Sequence, residues 1–494
     1  MSEHVELRRG VYRDSVALMQ VTRAVRSSPG VTAALVALAT ELNLELLAGL
    51  GLPVPDRVRP DDLLIGVRAD DDDALAAALT TLQSALDAGV PASSGAAAAP
   101  APRTTRSAAA WAPADLALVS VPGRYALVEA MDALQAGLSV LVFSDGVPLA
   151  HEVRLKDEAA RRDLLVMGPD CGTAVVGGVG LGFANVVRAG RVGIVAASGT
   201  GAQQLMCLLD AAGTGISACL GVGGRDLSAE VGGRSTLQAL AALDADPGTD
   251  LLVLVSKPPA PEVAERVRAH AAGLRTPVRL ALLGEGADDL TTVAEDVLRR
   301  LGAPVPDWRV WPAPQPAGAA APGALRGLFS GGTLCDEAMQ IAVAALGPVR
   351  SNTPLRPEWA LPPDLRADGH VLIDFGDDRL TAGRPHPMID PTLRLERLAA
   401  EAADPRVGVV LLDVVLGHGA DPDPAATLAP ALAAARAAAD RPLHLVVSLC
   451  GTSADPQGLD RQAAALQAAG ADVLLSNAAA ARHAVSLVAR EASP

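Results

Sequence analysis

Apolar and polar positions follow a repeated strand–helix pattern along most of the chain. From Asp115 onward, short apolar runs alternate with stretches of helical periodicity, which is typical of parallel sheets covered by helices. The sequence therefore predicts a doubly wound α/β architecture. The predicted strands are LALVSV (116–121), SVLVFS (139–144), DLLVMG (163–168), RVGIVA (191–196), ISACLGVGG (216–224), DLLVLVSKPP (250–259), RLALLGEG (279–286), LRGLFS (325–330), HVLIDFG (370–376), VGVVLLDVVLG (407–417), HLVVSLCG (444–451) and DVLLSN (472–477).

The first 90 residues have a different pattern, which predicts a small α+β domain. His4–Tyr12 alternates like a strand, and Ser15–Thr40 has a broken helical periodicity. A short apolar strand is predicted at Asp62–Ala69. The helix predicted at Asp70–Ala85 has acidic residues in its first turn, where the helix dipole favours them.

Two segments rich in Pro and Ala divide the chain further. We predict linkers at 91–110 and 303–324, because such compositions do not build a packed core. The predicted domains are the N-terminal α+β domain (1–90), a truncated Rossmann-like domain (111–187) and two flavodoxin-like domains (188–302 and 325–494).

Composition narrows the function classes. The 494 residues include 50% hydrophobic but only 2% aromatic residues, so Ala, Val and Leu must build the cores. A net charge of −15 argues against nucleic acid or an acidic membrane as partner. The five cysteines form no CxxC or Cys/His metal spacing, which fits a reducing cytoplasm. We expect neither a signal peptide nor a membrane span.

Two loops share one pattern, in which a strand ends in Ser-Gly and turns into a helix. The first motif lies in GIVAASGTGAQQL (193–205) and the second in RGLFSGGTLCDEA (326–338). A helix N-terminus of this kind can bind an anion through backbone N–H groups, although an ordinary capped turn looks the same. The candidate phosphate-binding residues are Ser198, Gly199, Thr200, Gly201, Ser330, Gly331, Gly332 and Thr333.

The segment IDFGDDRLTAGRPHPMIDP (373–391) contains the main catalytic candidates. Arg384 can bind a carboxylate or phosphate, His386 can transfer protons, and Asp390 follows closely. A solvated surface loop is the alternative. The segment also contains three further acids, for which we predict no metal: Asp374, Asp377 and Asp378.

Lys257 is a fourth catalytic candidate. The chain has 41 basic residues but only two lysines, Lys156 and Lys257, and Lys257 follows a predicted strand. It can neutralise a phosphate or simply be a surface residue. Cys171 and His418 are secondary candidates, each with a packing or surface role as the alternative.

Together these motifs resemble the FdrA family of the succinyl-CoA ligase superfamily. Residues 115–300 resemble the ligase α subunit, and 325–494 resemble the CoA-ligase domain of its β subunit. The motifs that carry the resemblance are YRDSVALM (12–19), MGPDCGTA (167–174), GIVAASGTGAQQL (193–205), LFSGGTLCDEAM (328–339), GRPHPMIDP (383–391) and LLDVVLGHGADPDP (411–424).

Departures from the ligases change the expected reaction. The stretch where the ligase phosphohistidine is expected, 279–297, contains no histidine, and Gln204 stands where the ligases have a glutamate. No segment resembles an ATP-grasp domain or the Gly-rich CoA loop. The sequence therefore requires no cofactor, and CoA and nucleotide binding are doubtful.

The resemblance implies phosphate-dependent carbamoyl or acyl transfer. Family members are linked to allantoin catabolism and resemble subunits of an oxamate carbamoyltransferase, which phosphorolyses a ureido acid such as oxalurate to carbamoyl phosphate. We expect phosphate or carbamoyl phosphate as substrate and other subunits as partners. Two alternatives stay open: an NDP-forming acyl-CoA ligase and a non-catalytic scaffold subunit.

Overall fold

The computed structural model describes residues 1–11, 13, 15–56, 58–87, 102–314, 323–381 and 384–488. The chain divides into two compact units. The first unit comprises Met1–Arg103 and Thr381–Pro385, and the second comprises Thr104–Leu380 and His386–Pro494. Parts of both predicted linkers, 91–101 and 315–322, lie outside the described residues, as do residues 88–90 at the end of the predicted N-terminal domain.

The first unit contains a three-stranded antiparallel sheet with strand order β1-β3-β2. The periodicity of residues 31–38 predicted helix, and this prediction was wrong. VTAALVAL is apolar at nearly every position, so pairing with the neighbouring strand decides its conformation, as in Val36 opposite Ile65. The elements are β1 (Ser2–Arg8), α1 (Ser15–Arg26), β2 (Val31–Leu38), α2 (Glu41–Gly49), β3 (Leu63–Ala69) and α3 (Asp72–Asp87).

The second unit begins with a small parallel sheet of order β4-β5-β6. Its first helix starts inside the segment predicted as a linker, where Thr104 caps the helix by accepting a hydrogen bond from the Ser107 N–H. The elements are α4 (Thr105–Trp111), β4 (Leu116–Val119), α5 (Gly123–Gln135), β5 (Ser139–Val142), α6 (Leu149–Arg161) and β6 (Val166–Met167).

A second sheet follows, with strand order β12-β11-β9-β10-β7-β8. Its four long strands are parallel, and an antiparallel hairpin that the sequence did not predict, β7–β8, extends one edge. The elements are β7 (Thr173–Val176), β8 (Val179–Gly182), β9 (Ala189–Ala196), α7 (Gly199–Ala211), β10 (Ile216–Gly221), α8 (Arg234–Ala245), β11 (Leu251–Ser256), α9 (Pro261–Ala272), β12 (Val278–Leu282) and α10 (Leu290–Arg300).

The third sheet has seven strands in the order β13-β19-β18-β17-β14-β16-β15. All its strands are parallel except the short β13. The elements are β13 (Val310–Trp311), β14 (Ala324–Phe329), α11 (Gly332–Leu346), β15 (Val349–Arg350), a 3₁₀ turn (Pro357–Trp359), β16 (His370–Asp374), α12 (Asp378–Thr381), α13 (Thr392–Ala403), β17 (Val407–Val415), α14 (Pro424–Ala438), β18 (His444–Cys450), α15 (Leu459–Ala468), β19 (Ala471–Leu474) and α16 (Asn477–Leu487).

The longer parallel strands of both larger sheets have the order of a flavodoxin-like fold, and the two-residue β15 adds to one edge of the third sheet. The predicted α/β architecture with parallel-sheet domains is therefore confirmed. The order reverses between β9 and β11 in one sheet and between β14 and β17 in the other. Open α/β sheets bind ligands at the carboxyl ends of strands beside this reversal. Helices α7 and α10 pack against α11 and α16 in one shared apolar core, which brings the ends of β9 and β14 close together.

Candidate active site

The N-termini of α7 and α11 meet. Ser198 Oγ and Thr333 Oγ1 lie 2.5 Å apart, and Ser198 Oγ also accepts a hydrogen bond from the Gly201 N–H at 3.1 Å. A Cβ on Gly331 would lie 2.9 Å from Thr200 Cγ2. The two matching Ser-Gly loops therefore face each other in direct contact.

A buried carboxylate accepts hydrogen bonds from part of the second Ser-Gly loop. Asp413, on β17, accepts hydrogen bonds from the Ser330 N–H at 2.7 Å, the Ser330 hydroxyl at 2.9 Å and the Gly331 N–H at 2.8 Å. Arg394 compensates its charge at 3.2 Å. We did not single out Asp413 from the sequence, although an aspartate inside the apolar strand VGVVLLDVVLG was a signal. Ser330 and Gly331 thus have an internal partner.

The remaining loop residues differ in their access to solvent. The first N–H groups of a helix have no carbonyl partner within that helix. In the first turns of α7 and α11, the partly exposed candidates are Gly199, Thr200 and Gly332. The buried candidates are Ser198, Gly201, Ser330, Gly331 and Thr333.

Lys257 lies beside the start of α11. Its Nζ forms an ion pair with Asp336 Oδ2 at 2.8 Å, and 44% of its side chain is exposed. Burial tends to lower the pKa of Lys257, but Asp336 and the charge of Asp374 outweigh it and raise the pKa. The lysine therefore offers a permanent positive charge next to the paired helix N-termini.

Asp374, at the end of β16, lies beside Gly332 and Lys257, although no catalytic role was predicted for it from the sequence. A Cβ on Gly332 would lie 2.6 Å from Asp374 Oδ2 and 3.6 Å from Lys257 Nζ. Asp374 Oδ1 accepts a hydrogen bond from the Gly376 N–H at 2.9 Å. Burial raises the pKa of Asp374 to about 7, against the opposing charge of Lys257. This carboxyl exchanges its proton near neutral pH.

His386 is held as a neutral ring. Its Nδ1 accepts a hydrogen bond from the Met388 N–H at 3.2 Å, which leaves the proton on Nε2. Burial, with the charge of Arg394 adding to it, lowers the pKa of His386 to about 4. A Cβ on Gly376 would lie 3.0 Å from His386 Nε2. The ring is thus suited to donate a hydrogen bond rather than to accept a proton at neutral pH.

The other two candidates of the 373–391 segment have different surroundings. Arg384 is exposed and belongs to the stretch that clusters with the first unit, where its N–H donates to the Thr381 carbonyl at 2.9 Å. Asp390 Oδ1 accepts a hydrogen bond from the Thr392 N–H at 3.0 Å. Asp390 thus lies one residue before Pro391, the N-cap of α13, and binds the first residue of that helix. Catalytic roles for both residues stay predictions.

The secondary candidates are also placed. Cys171 is buried, which raises the pKa of its thiol to about 12 and does not favour a nucleophilic thiolate. His418 is exposed, and Gln204 is fully buried and donates to the Leu475 carbonyl at 3.1 Å. Next to Cys171, burial and the charge of Asp378 raise the pKa of Asp170 to about 7.

A pocket of about 940 Å³ opens beside Lys257 and Asp336. Residues of α11 and of the loop that joins β12 to α10 line it. The guanidinium of Arg356 stacks on Trp359 at 4.9 Å and lies 3.5 Å from Glu285. The pocket gives room for a small organic acid next to the ion pair. Its lining includes Lys257, Leu283, Glu285, Asp288, Asp336, Gln340, Leu355, Arg356 and Trp359.

Within the described residues, no group of three or more His, Cys, Asp or Glu side chains is arranged to hold a metal ion. No described helix is long and apolar enough to cross a membrane.

Comparison with known proteins identifies the family. The chain is 38% identical over 502 aligned positions, 95% of each protein, to the uncharacterized protein YahF of Escherichia coli K12. The chain belongs to the YahF family. Residues 328–487 of this YahF homologue match the CoA-ligase family model, and residues 1–102 match the model of the AllF heavy metal-associated domain.

The YahF homologue is also similar to α subunits of CoA ligases. It is 28% identical over 144 residues to a succinate–CoA ligase α subunit of Methanothermobacter thermautotrophicus. It is 28% identical over 160 residues to a malate–CoA ligase α subunit of Methylorubrum extorquens. These alignments cover 28% and 31% of the chain, and about half of each ligase subunit. The predicted succinyl-CoA ligase superfamily is confirmed, and the FdrA name stays a prediction.

The metal implied by the name of the N-terminal model does not fit this member of the family. Soft metal ions need thiolate ligands, and the first cysteine of the chain is Cys171. In the described part of this domain, His4 Nε2 lies 3.3 Å from Glu6 Oε2, a contact between two side chains of one strand. Residues 1–102 therefore contain no thiolate ligand for a soft metal ion.

Proposed function

We propose that this YahF-family protein is an enzyme subunit that transfers a carbamoyl or related acyl group to inorganic phosphate. The observation that carries the proposal is the direct contact between the N-termini of α7 and α11, beside Lys257. Facing helix N-termini concentrate positive potential and free N–H donors on one point, which suits a phosphate dianion. Gly199, Thr200 and Gly332 would donate these hydrogen bonds.

The chemistry requires three actions at this point. The enzyme must hold phosphate, polarise the carbonyl that phosphate attacks, and deliver a proton to the leaving nitrogen. Lys257 would neutralise the phosphate, and the Nε2–H of His386 would polarise the carbonyl. From the sequence alone, Arg384 stays the candidate for binding the carboxylate of the substrate. A ureido acid such as oxalurate would then yield carbamoyl phosphate and the amide of the remaining acid.

A second candidate function is NDP-forming acyl-CoA ligation. The match of residues 328–487 to the CoA-ligase model and the similarity to ligase α subunits favour it. The absence of histidine from residues 279–297 weighs against it, because the resemblance places the phosphohistidine there. A partner chain would have to supply that histidine and the nucleotide site. The relatives named as ligase subunits support a multi-subunit assembly for either function.

A thermal-shift panel separates the two functions. The chain is heated with inorganic phosphate, carbamoyl phosphate, CoA or ADP, with sodium chloride as a control for ionic strength. A ligand at about 100 times its dissociation constant stabilises the folded state by roughly 2.7 kcal/mol. We expect a shift with phosphate and carbamoyl phosphate but not with CoA. A shift with CoA or ADP alone would instead support the ligase.

A further inference from the structure

Asp374 lies between the two groups that the proposed function uses most. Its Oδ2 is on the side of Gly332 and Lys257, at the N-terminus of α11. Its Oδ1 is on the side of Gly376, where His386 Nε2 also lies. A Cβ on Gly376 would be 3.2 Å from Asp374 Oδ1 and 3.0 Å from His386 Nε2. One carboxyl group therefore reaches both the phosphate side and the histidine side of the site.

We propose that Asp374, rather than His386, carries the proton during group transfer. This inference rests on the proposed function. The carboxylate of Asp374 takes the proton of hydrogen phosphate while a phosphate oxygen forms the new bond to the carbamoyl carbon. The resulting carboxylic acid then gives the same proton to the nitrogen as the carbon–nitrogen bond breaks. Atoms and charge balance, and no oxidant or cofactor is consumed.

The other titratable side chains at the site are less suited than Asp374 to carry the proton. His386 already accepts a backbone hydrogen bond at Nδ1, so its free nitrogen carries a proton and cannot accept another. Asp336 is committed to Lys257 at 2.8 Å. Asp413 is saturated by the N–H and hydroxyl donors of Ser330 and Gly331.

The charges around Asp374 favour a carboxyl that changes protonation state. Lys257 and the Gly376 N–H stabilise the carboxylate, whereas burial, Asp336 and Asp377 oppose it, and the pKa of Asp374 lies at about 7. The thiol of Cys335 and the neutral His386 also face this region. A general acid–base group works best when its pKa is near the working pH.

Phosphate binding tests the inference without turnover. Hydrogen phosphate bound beside Asp374 changes the protonation of that carboxyl group, so binding at pH 7 is coupled to proton exchange with the buffer. Calorimetry in buffers of different ionisation enthalpy counts these protons. We expect the wild type and the exposed control Asp368→Asn to exchange the same number of protons, and Asp374→Asn, in which only the phosphate can ionise, to exchange a different number. Equal proton exchange by Asp374→Asn and the wild type would overturn the inference.

Turnover provides the second test. We expect Asp374→Asn to lower kcat for carbamoyl phosphate formation by about 100-fold or more and to remove the pH dependence of kcat around pH 7. Asp374→Glu should keep that pH dependence at a reduced rate. An active Asp374→Asn protein refutes the inference alone, whereas a wild type that neither turns over nor is stabilised by phosphate refutes the proposed function. If neither variant folds, a wild-type kcat without ionisation between pH 6 and 8 refutes the inference.

Discussion

At the scale of single residues, Lys156 shows why an arginine-rich chain keeps an ammonium group. Lys156 is fully buried, and its Nζ donates to Glu152 Oε1 at 2.8 Å, Asp226 Oδ1 at 2.7 Å and the Val222 carbonyl at 3.0 Å. Three acceptors around one point match a tetrahedral ammonium, which the planar guanidinium of arginine does not.

Replacing Lys156 should destabilise the protein strongly. Lys156→Met leaves the carboxylates of Glu152 and Asp226 buried without their shared cation, and breaking a buried ion pair costs about 3–5 kcal/mol. Urea denaturation monitored by circular dichroism measures the change. The exposed substitution Arg161→Met is the control and should alter stability little. Equal stability of Lys156→Met and the wild type would contradict the structure here.

Replacing His386 should affect turnover more than folding. Loss of one hydrogen-bond donor to a developing oxyanion costs about 100- to 1,000-fold in kcat. We therefore expect His386→Ala to lower kcat by this factor while its melting temperature stays close to that of the wild type. The comparison is His483→Ala, whose ring contacts Asp472. An unchanged rate would remove His386 from the mechanism.

At the scale of elements, the contact between α7 and α11 depends on the small size of a glycine. Gly331→Ala places a methyl group 2.9 Å from both Cγ2 and Oγ1 of Thr200, so Thr200 must shift and the contact between the two helix N-termini is disturbed. We expect a loss of about 1–3 kcal/mol in stability and of the stabilisation by phosphate. Gly224→Ala is the control, because a Cβ at Gly224 meets nothing within 4 Å. A phosphate shift that survives in Gly331→Ala would show that the contact is not needed for binding.

Most elements could be predicted from the sequence, because strands buried on both faces are apolar throughout. The Ser-Gly loops could also be predicted, because the strand, the Ser-Gly turn and the helix follow one another within a short stretch of sequence. The apolar run of β2 could not be assigned, because strand and helix bury such a run equally well. The partners of the site were also out of reach: Asp413 is 83 residues from Ser330, and only the fold brings them together.

At the scale of the whole molecule, buried carboxyl groups make stability depend on pH. Glu337 accepts hydrogen bonds from the Leu290 N–H at 2.6 Å and Asn477 Nδ2 at 2.7 Å, and burial raises its pKa to about 7. The unfolded chain loses this proton near pH 4.5, whereas the folded protein keeps it until about pH 7. The stability that Glu337 contributes is therefore complete below pH 4.5 and is lost as the pH rises to about 7.

The variant Glu337→Gln should isolate this effect. Relative to the wild type, its free energy of unfolding should increase between pH 5 and pH 8, by about 1.4 kcal/mol for each unit by which the fold shifts the pKa. Urea titrations at both pH values measure the difference. The exposed control Glu358→Gln should follow the wild type. If the pH dependence of Glu337→Gln also follows that of the wild type, Glu337 is ionised in the folded protein.

The scarcity of lysine also gives this protein a built-in chemical handle. Lys156 and Lys257 are the two lysine side chains with which an amine-reactive dye can react, and Lys156 is 1% exposed and donates to three acceptors. A dye attached to a lysine side chain therefore reports from the wall of the 940 Å³ pocket. The rate at which Lys257 is labelled would thus report how often that pocket is occupied, without knowledge of the substrate.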